Sequence, residues 1–245
     1  MKAVILAAGY ATRLYPLTEK QPKPLLNVGG KPVIEHILDK IKGLRDVDEV
    51  FIITNHRFYE QFRVWLNHFK FPKKMKLLDD GTLSNDDRLG AVGDINFVLQ
   101  EEEINDDLLV IAGDNLFGFP LTKFTHLFQQ LGKSVVAFHD LKEVEKVRKR
   151  FGVGVLNGSK VFHFEEKPAQ PKSTLAATAC YIFPKTDLPL IEKSIEKGKA
   201  DNPGDLIRYL TKESEVHGFV FTEHWFDIGN AESLQAAQAV YSAHL

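Results

Sequence analysis

The sequence predicts an α/β fold whose mostly parallel sheet carries helices on both faces. Short apolar runs alternate with amphipathic stretches of helical spacing along most of the chain. No internal repeat, low-complexity segment or linker interrupts this alternation. The chain has 245 residues, of which 44% are hydrophobic, and this suits one large domain. We therefore expect one Rossmann-like domain over residues 1–245, with a small β-rich insertion at about 150–170.

The first part of the chain alternates strands and helices. The run Lys2–Leu6 predicts a buried first strand, and Pro32 opens a helix that Gly43 closes. Further strands are predicted at Val50–Thr54, Met75–Leu78, Leu108–Ala112 and Val135–Phe138. Further helices are predicted at 58–69, Gly90–Gln100 and Leu121–Leu131.

The pattern changes after residue 150. Two short β-rich runs flank Asn157-Gly158-Ser159, and Asn-Gly is a strong hairpin signal. We expect an antiparallel excursion from the main sheet here, preceded by a solvated helix face at Lys142–Arg150. The chain then returns to strands at Thr178–Phe183 and Val216–Thr222, and to helices at Leu188–Lys197, Asp205–Lys212 and Ala231–Ala243.

Composition excludes several classes of protein. Thirty-one basic residues against 33 acidic ones argue against a basic surface for nucleic acid. The single cysteine, Cys180, excludes an intrachain disulfide and a cysteine-rich zinc site, and we expect a buried, inert thiol. No apolar run reaches the roughly 18 residues of a membrane span, and the N-terminus does not continue as a signal peptide. We expect a soluble, cytoplasmic protein that binds neither nucleic acid nor membrane.

The loop after the first strand is the strongest indication of a ligand. Residues 1–31 carry five lysines or arginines against one acid, Glu19, which favours an anionic ligand. A glycine-containing loop at the carboxyl end of the first strand is typical of a nucleotide site. Its spacing is neither that of a dinucleotide-binding turn, which argues against a dehydrogenase, nor that of a P-loop. Arg13 and Lys23 instead add fixed positive charge, as phosphoryl or nucleotidyl transfer requires.

The residues of this loop resemble the sugar-1-phosphate nucleotidyltransferase family, in particular its glucose-1-phosphate thymidylyltransferases and uridylyltransferases. The family signature L-A-[AG]-G-x-G-T-R-L-x-P-x-T, P-K-P-L-L and G-K-P is matched at Leu6–Gly9, Thr12–Leu14, Pro16, Thr18, Pro22–Leu26 and Gly30–Pro32. Five later segments match family motifs in the same order: Arg88–Gly93, Gly113–Phe117, Phe151–Val155, Glu166–Pro168 and Trp225–Gly229. Each segment is weak alone, but the ordered set covers almost the whole chain.

The resemblance implies a role for each candidate residue. Arg13 would grip the triphosphate and Lys23 would lie against the α-phosphate. Asp114 and Asp227 would hold Mg²⁺, which prefers oxygen ligands. The nucleotide would contact Leu6, Ala7, Ala8, Gly9 and Gly90, and the sugar phosphate would contact Gly152, Glu166, Lys167 and Thr178. Taken singly, Asp114 could be a turn residue and Asp227 a helix cap.

The implied reaction joins a nucleoside triphosphate to a sugar 1-phosphate and releases pyrophosphate. The attacking phosphate oxygen is largely ionised at pH 7, because the second pKa of a phosphomonoester is about 6. No general base is required, in agreement with the absence of a Ser/His/Asp or Cys/His signature. Both substrates are small molecules, and the sequence leaves assembly into a homo-oligomer open.

Two departures from the family bear on this interpretation. Ala11 replaces the second glycine of G-x-G-T-R, and a methyl group there costs on the order of 1 kcal/mol if the backbone φ is positive. Pyrimidine-specific relatives carry a Gln or Glu in a short segment before Gly90, whereas this chain has a longer acidic loop. Its possible base readers are Asp79, Asp80, Asn85, Asp86 and Asp87. UTP, dTTP, CTP and GTP therefore all remain open.

Two alternatives from other functional classes remain. A GT-A-type glycosyltransferase would carry a D-x-D turn, but the turn here is Asp114-Asn115-Leu116. A regulatory or assembly subunit with the same fold would be expected to lack some of Arg13, Lys23, Asp114 and Asp227, and all four are present. About 15 residues follow Asn230, so we expect no appended left-handed β-helix acyltransferase domain and no bifunctional enzyme.

Overall fold

The computed structural model describes residues 1–198 and 201–243. The strands within these ranges are β1 (Lys2–Leu6), β2 (Asn27–Val28), β3 (Lys31–Pro32), β4 (Glu49–Thr54), β5 (Lys74–Asp79), β6 (Leu108–Ala112), β7 (Asn115–Phe117), β8 (Ser134–Asp140), β9 (Gly152–Asn157), β10 (Lys160–Glu166), β11 (Leu175–Phe183), β12 (Val216–Phe221) and β13 (Trp225–Asp227). The α-helices are α1 (Val33–Lys42), α2 (His56–His68), α3 (Gly90–Glu101), α4 (Leu121–Leu131), α5 (Val144–Val147), α6 (Leu188–Glu196), α7 (Pro203–Glu213) and α8 (Ala231–Ser242).

Nine strands form the central sheet in the order β5-β4-β1-β6-β11-β8-β12-β10-β9. β1 pairs in parallel with β4 and β6, β4 with β5, and β8 with β12. β11 runs antiparallel to both of its neighbours, β6 and β8. The mostly parallel sheet predicted from the sequence is confirmed. Leu6 lies beside both Ile53 and Ala112, so the carboxyl ends of β1, β4 and β6 finish close together.

Helices cover both faces of this sheet, as predicted. Residues of α1, α2 and α4, such as Ile37, Phe62 and Phe124, form one buried cluster with one face of the sheet. Residues of α3, α6 and α7 form a second cluster on the other face. Along β1, Ile5 belongs to the first cluster and Val4 to the second, because successive side chains of a strand point to opposite faces. This two-sided burial explains why the strand sequences are almost wholly apolar.

The predicted hairpin is present and continues the main sheet. β9 and β10 are antiparallel and are joined through Gly158, whose φ of 59° is readily adopted by glycine. β10 pairs with β12 at Lys160 and His217, and β9 reaches β11 at Val153 and Ala176. The hairpin therefore forms the outer edge of the sheet and brings β9 and β10 toward the amino end of β11, which lies at the edge where β1 and β6 finish.

The structure differs from the prediction at short elements. The helix face expected over Lys142–Arg150 is reduced to Val144–Val147, because Val147 is buried against β9 and Lys149 takes a φ of 56°. Two small antiparallel ribbons, β2–β3 and β7–β13, were not predicted. Strands of two or three residues are too short to show a hydrophobic period.

Two expectations drawn from composition can be compared with the structure. Cys180 is fully buried in β11, and burial raises the pKa of its thiol far above the usual range, as expected for an inert cysteine. Among the described residues, none of the helices is long and apolar enough to cross a membrane.

Candidate active site

Two adjoining cavities open where β1 and β6 end, with volumes of about 360 and 250 Å³. Ligands of open α/β sheets bind outside the carboxyl ends of the strands, so this is the expected place for a site. The wall shared by the cavities contains Arg13, Ala112, Asp114, Ala179 and Pro203. The first cavity is lined by the predicted residues Leu6, Ala7, Ala8, Gly9, Arg13, Lys23, Gly90 and Asp114. The second is lined by the predicted residues Arg13, Asp114, Gly152, Glu166, Lys167, Thr178 and Asp227.

The loop after β1 is fixed by a hydrogen bond that it donates to β4 and by one that it accepts from Asn55, the residue after β4. The Ala7 N–H donates to the Ile53 carbonyl at 2.8 Å, and the Asn55 side-chain amide donates to the Ala8 carbonyl at 2.8 Å. Gly9 faces open space, since a Cβ atom there would meet nothing within 4 Å. Packing within the chain therefore does not require a glycine at this position, whereas close approach of a ligand to the backbone would.

Ala11 adopts the left-handed conformation, with a φ of 50°. In this conformation the Ala11 methyl group, which replaces the hydrogen of the family's glycine, costs on the order of 1 kcal/mol. Two donors hold the residue in place: the Thr18 hydroxyl and the Leu14 N–H both donate to the Ala11 carbonyl, at 2.7 and 3.0 Å. The strain therefore lies in the loop that lines the first cavity, next to Arg13.

Lys23 and Asp114 form an ion pair between the first loop and the end of β6. Lys23 Nζ donates to Asp114 Oδ2 at 2.7 Å, and only 12% of the lysine side chain is exposed. Gly113 makes this approach feasible, because a Cβ atom there would lie 2.8 Å from the Leu6 carbonyl oxygen. The chain can thus fold over the end of β1 and turn Asp114 into the shared wall.

The β7–β13 ribbon brings Asp227 to Asp114. Asp227 lies opposite Asn115 in the ribbon, and the Ile228 N–H donates to the Asp114 carbonyl at 3.0 Å. Burial, with the negative charge of Asp114 as the next cause, raises the pKa of Asp227 to about 6. Asp227 does not cap α8; that role belongs to Asn230, whose side chain accepts from the Ser233 N–H.

These two carboxylates fit a magnesium ion bound together with phosphate. In the described part of the chain, no group of three or more His, Cys, Asp or Glu side chains could hold a metal ion. Mg²⁺ is commonly held by one or two carboxylates together with substrate phosphates and water. Burial is the main cause of the raised pKa of Asp227 and the negative charge of Asp114 adds to it, and a divalent cation would relieve that repulsion.

The second cavity is bordered by the end of the hairpin. Burial raises the pKa of Glu166, and Lys167 Nζ lies 3.5 Å from Glu166 Oε1. A Cβ atom at Gly152 would lie 2.5 Å from Phe164 Cζ and 2.9 Å from Glu166 Oε2. Gly152 therefore makes room for the Phe164 ring and the Glu166 carboxylate, and it also lines the second cavity, where the sequence predicts contact with the sugar.

Thr178 lies in an irregular stretch of β11. The register with β8 shifts between Ala177 and Tyr181, and Ala179 takes a φ of 51°. This bulge places residues 177–179 along the second cavity, where a regular strand would send alternate residues to the other face. The Thr178 hydroxyl donates to the Ala137 carbonyl at 3.0 Å, so toward a ligand it can only accept a hydrogen bond.

Only two of the five base readers predicted in the acidic loop before α3 line the first cavity. Asp80 and Asn85 line the first cavity, and Asp79, Asp86 and Asp87 do not. The carboxylate of Asp87 accepts from the N–H groups of Leu83 and Ser84, and that of Asp79 from the Gly81 N–H. These last two acids therefore shape the loop.

Sequence reasoning missed several residues of the site. Asp94 lines the first cavity, and its signal was an acid among the apolar residues Val92, Ile95 and Val98 of α3. Asn115 was also missed: its amide donates to Asp114 Oδ1 at 3.1 Å, and its oxygen accepts from the Trp225 indole N–H at 2.6 Å. No signal in the sequence joins residues 110 positions apart in this way.

Known proteins match this chain over almost all of its length. The family model for nucleotidyl transferases matches residues 2–244. A curated relative, the bifunctional protein GlmU of Methanocaldococcus jannaschii, is 34% identical over 94% of this chain and 51% of its own length. The UTP–glucose-1-phosphate uridylyltransferase of Synechocystis is 28% identical over 100% of this chain and 64% of its own length. The chain thus spans about half to two thirds of the length of these relatives.

Solved structures share the fold over almost the whole chain. A Bacillus anthracis protein assigned as a glucose-1-phosphate thymidylyltransferase superposes with a TM-score of 0.85, is 26% identical, and is matched over 99% of this chain and 95% of its own. A UDP-glucose pyrophosphorylase bound to UDP-glucose gives a TM-score of 0.82 at 22% identity, over 100% of this chain and 99% of its own. At that identity the second likeness concerns the fold alone.

Proposed function

This chain belongs to the sugar-1-phosphate nucleotidyltransferase family, and from this premise we propose that it joins a nucleoside triphosphate to a sugar 1-phosphate in a Mg²⁺-dependent reaction that releases pyrophosphate. In this proposal, residues 1–245 act as one nucleotidyltransferase domain. Residues of about 150–170 form part of its sugar-binding side.

The observation that carries the proposal is the wall shared by the two cavities. A nucleoside in the first cavity and a sugar in the second would bring their phosphates together at Arg13 and Asp114. Lys23 lines the first cavity next to this wall, with its Nζ 2.7 Å from Asp114 Oδ2. The arrangement supports a transfer between two phosphate-bearing substrates, since positive charge lies where the phosphates would meet.

The reaction is an in-line displacement. An oxygen of the sugar 1-phosphate forms a bond to the α-phosphorus, and the bond from that phosphorus to the bridging oxygen of the β-phosphate breaks. Pyrophosphate leaves with the electron pair. The attacking oxygen is already ionised at neutral pH, so no protein base takes a proton. Arg13 and Lys23 offset the negative charge of the phosphates, which is the main requirement of such a transfer.

Asp114 and Asp227 would hold the magnesium ion. When bound, Mg²⁺ would neutralise negative charge on the phosphate oxygens. The loop residues Leu6, Ala7, Ala8 and Gly9, with Gly90, would contact the nucleotide.

The second cavity would hold the sugar phosphate. The Glu166 carboxylate would accept hydrogen bonds from sugar hydroxyls, and Lys167 would pair with the phosphate. Thr178 would accept from a further hydroxyl, since its own proton is donated to Ala137. Gly152 would let the strand backbone meet the sugar, and it leaves space for Glu166.

Pyrophosphate release tests this proposal. The full chain is incubated with Mg²⁺, one of UTP, dTTP, CTP, GTP and ATP, and each of a panel of sugar 1-phosphates. We expect at least one productive pair, and no release when Mg²⁺ is chelated.

Lys23→Ala should lower the rate of pyrophosphate release, whereas Lys20→Ala, at an exposed lysine outside both cavities, serves as the matched control. Nucleotide binding without release across the panel would contradict a sugar 1-phosphate as the acceptor. Neither binding nor release would favour a regulatory subunit.

A further inference from the structure

A third cavity adjoins the acceptor side of the site and has no role in the function proposed above. Its volume of about 680 Å³ exceeds that of each of the other two cavities. It shares Arg150, Phe151, Lys167 and Trp225 with the second cavity, whereas among the described residues it shares only Arg13 with the first. A ligand of the second cavity can therefore extend into the third without displacing the nucleotide.

Positive charge dominates the lining of this third cavity. Its basic residues are Arg13, Lys146, Lys149, Arg150 and Lys167. Its acidic residues are Asp227, which would hold Mg²⁺, and Glu232. Lys146 and Lys149 are exposed and line neither of the other cavities. An anionic group bound by these two lysines would therefore lie beyond the transferred phosphate.

Three of the five basic groups have no carboxylate partner. In the part of the chain that the structure describes, Arg13, Lys149 and Arg150 form no ion pair within 4.0 Å. The other two are paired with glutamates, at 2.6 Å for Lys146 and at 3.5 Å for Lys167. Three unpaired cations thus face two acids, one of which would be occupied by a divalent cation. This excess of positive charge favours an anionic ligand.

The backbone holds two of these lysines in an unusual conformation at the cavity. Lys149 has a φ of 56° and Lys167 a φ of 45°, in the left-handed region that residues other than glycine rarely adopt. The Lys149 N–H donates to the Pro168 carbonyl at 3.0 Å, and the Lys167 N–H donates to the Phe151 carbonyl at 3.1 Å. Strain of this kind is concentrated at ligand sites. The two cross-linked segments present both lysines to the same cavity.

The border between the second and third cavities is aromatic and carries a cation. The ring centres of Phe151 and Trp225 lie 5.0 Å apart. The Arg150 guanidinium lies 5.2 Å from the centre of the Phe151 ring, a distance at which a cation and an aromatic face attract each other. Arg150 lines both cavities, so it can contact a phosphate in the second cavity and an anionic group in the third.

The position of the third cavity indicates which substrate it would serve. An in-line displacement places the leaving pyrophosphate on the side of the α-phosphorus opposite to the attacking oxygen. The attacking oxygen belongs to the ligand of the second cavity, and the third cavity shares most of its border with the second. A group bound in the third cavity is therefore part of the acceptor, and not part of the pyrophosphate.

We propose that the acceptor is a sugar 1-phosphate with a second anionic group, a carboxylate or a further phosphate, and that Lys146, Lys149 and Arg150 bind this group in the third cavity. This inference rests on the proposed function and narrows its class of acceptor. The second anionic group takes no part in bond formation or cleavage, so its charge contributes to acceptor binding and lowers KM.

Matched pairs of acceptors test this proposal. Glucose, galactose and mannose 1-phosphates are each compared with the corresponding uronic acid 1-phosphate, which adds a carboxylate at C6, and with the 1,6-bisphosphate. Pyrophosphate release by the full chain with Mg²⁺ and the best triphosphate should give a kcat/KM about tenfold higher for at least one doubly anionic acceptor than for its neutral-sugar counterpart. The preference should arise from KM and decrease as KCl is raised, since salt screens exposed charges.

Substitution of the two lysines tests the place of the second anionic group. The double variant Lys146→Gln/Lys149→Gln should abolish the difference between the doubly anionic acceptor and its counterpart. Lys172→Gln is the matched control and should keep the difference, because Lys172 is an exposed lysine outside all three cavities. Circular dichroism checks that the variants are folded. A double variant that keeps the preference overturns the proposal.

Calorimetric titration with Mg²⁺ and no triphosphate separates acceptor binding from the reaction. Each acceptor is titrated into the full chain, and so is pyrophosphate. No preference for a doubly anionic acceptor in either measurement overturns the proposal, and release with a neutral-sugar acceptor would then leave the proposed function intact. A preference in binding without release from any pair contradicts the proposed function and leaves the third cavity as an anion site. Loss of pyrophosphate affinity in the double variant, with acceptor binding unchanged, assigns the cavity to the product and also overturns the proposal.

Discussion

The two ends of the site accommodate buried acids in opposite ways. At the phosphate end, defined by Arg13, Lys23, Asp114 and Asp227, positive charges face the carboxylates, and Lys23 lies 2.7 Å from Asp114. At the base end, which contains the predicted base reader Asp80 with Tyr10, Thr82 and Asp94, two buried acids meet, and burial raises the pKa of Asp94 to about 8. Fixed positive charge suits a reaction between anions, whereas acids without a facing cation suit contact with a neutral base. The following predictions separate these roles.

The largest effect is expected at Lys23. Lys23→Ala removes the cation nearest to Asp114 and should lower the turnover number by about 10²–10³-fold with every triphosphate, since such charges act on the transition state. Steady-state pyrophosphate release measures this, with Lys20→Ala as control. Turnover within twofold of the wild type would remove Lys23 from the mechanism.

The next effect is expected at Asp227. Asp227→Asn removes one of the two carboxylates that face each other, and should raise the Mg²⁺ concentration for half-maximal activity at least about tenfold. A magnesium titration of activity measures it. Glu232→Gln, at an exposed acid of α8, is the comparison variant, and an identical titration curve for Asp227→Asn would exclude a ligand role.

A pH-dependent gain in stability is expected from Asp94→Asn. The pKa of Asp94 is about 8 in the folded protein and near 3.8 when unfolded. Between these values the folded state binds more protons than the unfolded state, so the contribution of Asp94 to wild-type stability falls as the pH rises, by up to about 1.4 kcal/mol per pH unit. Asparagine carries no such proton. The stability of the variant relative to the wild type should therefore increase from pH 5 to pH 8 in urea unfolding experiments.

A difference between Asp94→Asn and wild type that stays constant over that range would show that Asp94 is ionised in the folded protein. The control is Asp86→Asn, whose exposed side chain should produce no trend with pH. Together the two variants show whether the base end is held by a proton.

The smallest effect is expected at Ala11, in the loop of the phosphate end. Ala11→Gly relieves the left-handed conformation but adds freedom to the unfolded chain, for a net gain of about 0.5 kcal/mol. Ala239→Gly, in the exposed face of α8, should instead lose about 1 kcal/mol. Chemical unfolding of both variants measures this, and a loss at Ala11 would show that the strain is absent.

The regular elements and the residues of the phosphate end could be predicted from the sequence. The regular elements were predictable because strands and helices buried on both sides of a sheet repeat their apolar residues over five or more positions. The phosphate end was predicted too, since Arg13, Lys23, Asp114 and Asp227 stand in short ordered motifs. The two-residue and three-residue ribbons were not predictable, although β13 is what brings Asp227 to Asp114.

The base end was predictable only in part. Asp80 was one of five acidic or amide residues in a loop without periodicity, and nothing in the sequence separates it from Asp79 or Asp87. The separation comes from hydrogen bonds: Asp87 is bound to its own loop, and Asp80 is held by Thr82 at the cavity. Asp94 belongs to a helix whose neighbours are apolar, so its partner became apparent only in three dimensions.

The most direct test of the account measures both ends in one assay. The turnover number and KM for pyrophosphate release are determined for wild type, Lys23→Ala and Asp80→Asn with the best sugar 1-phosphate and all five triphosphates. The account predicts that Lys23→Ala lowers the turnover number for every triphosphate while keeping their ranking, and that Asp80→Asn changes the ranking through KM. A changed ranking in Lys23→Ala together with a uniform loss in Asp80→Asn would contradict it.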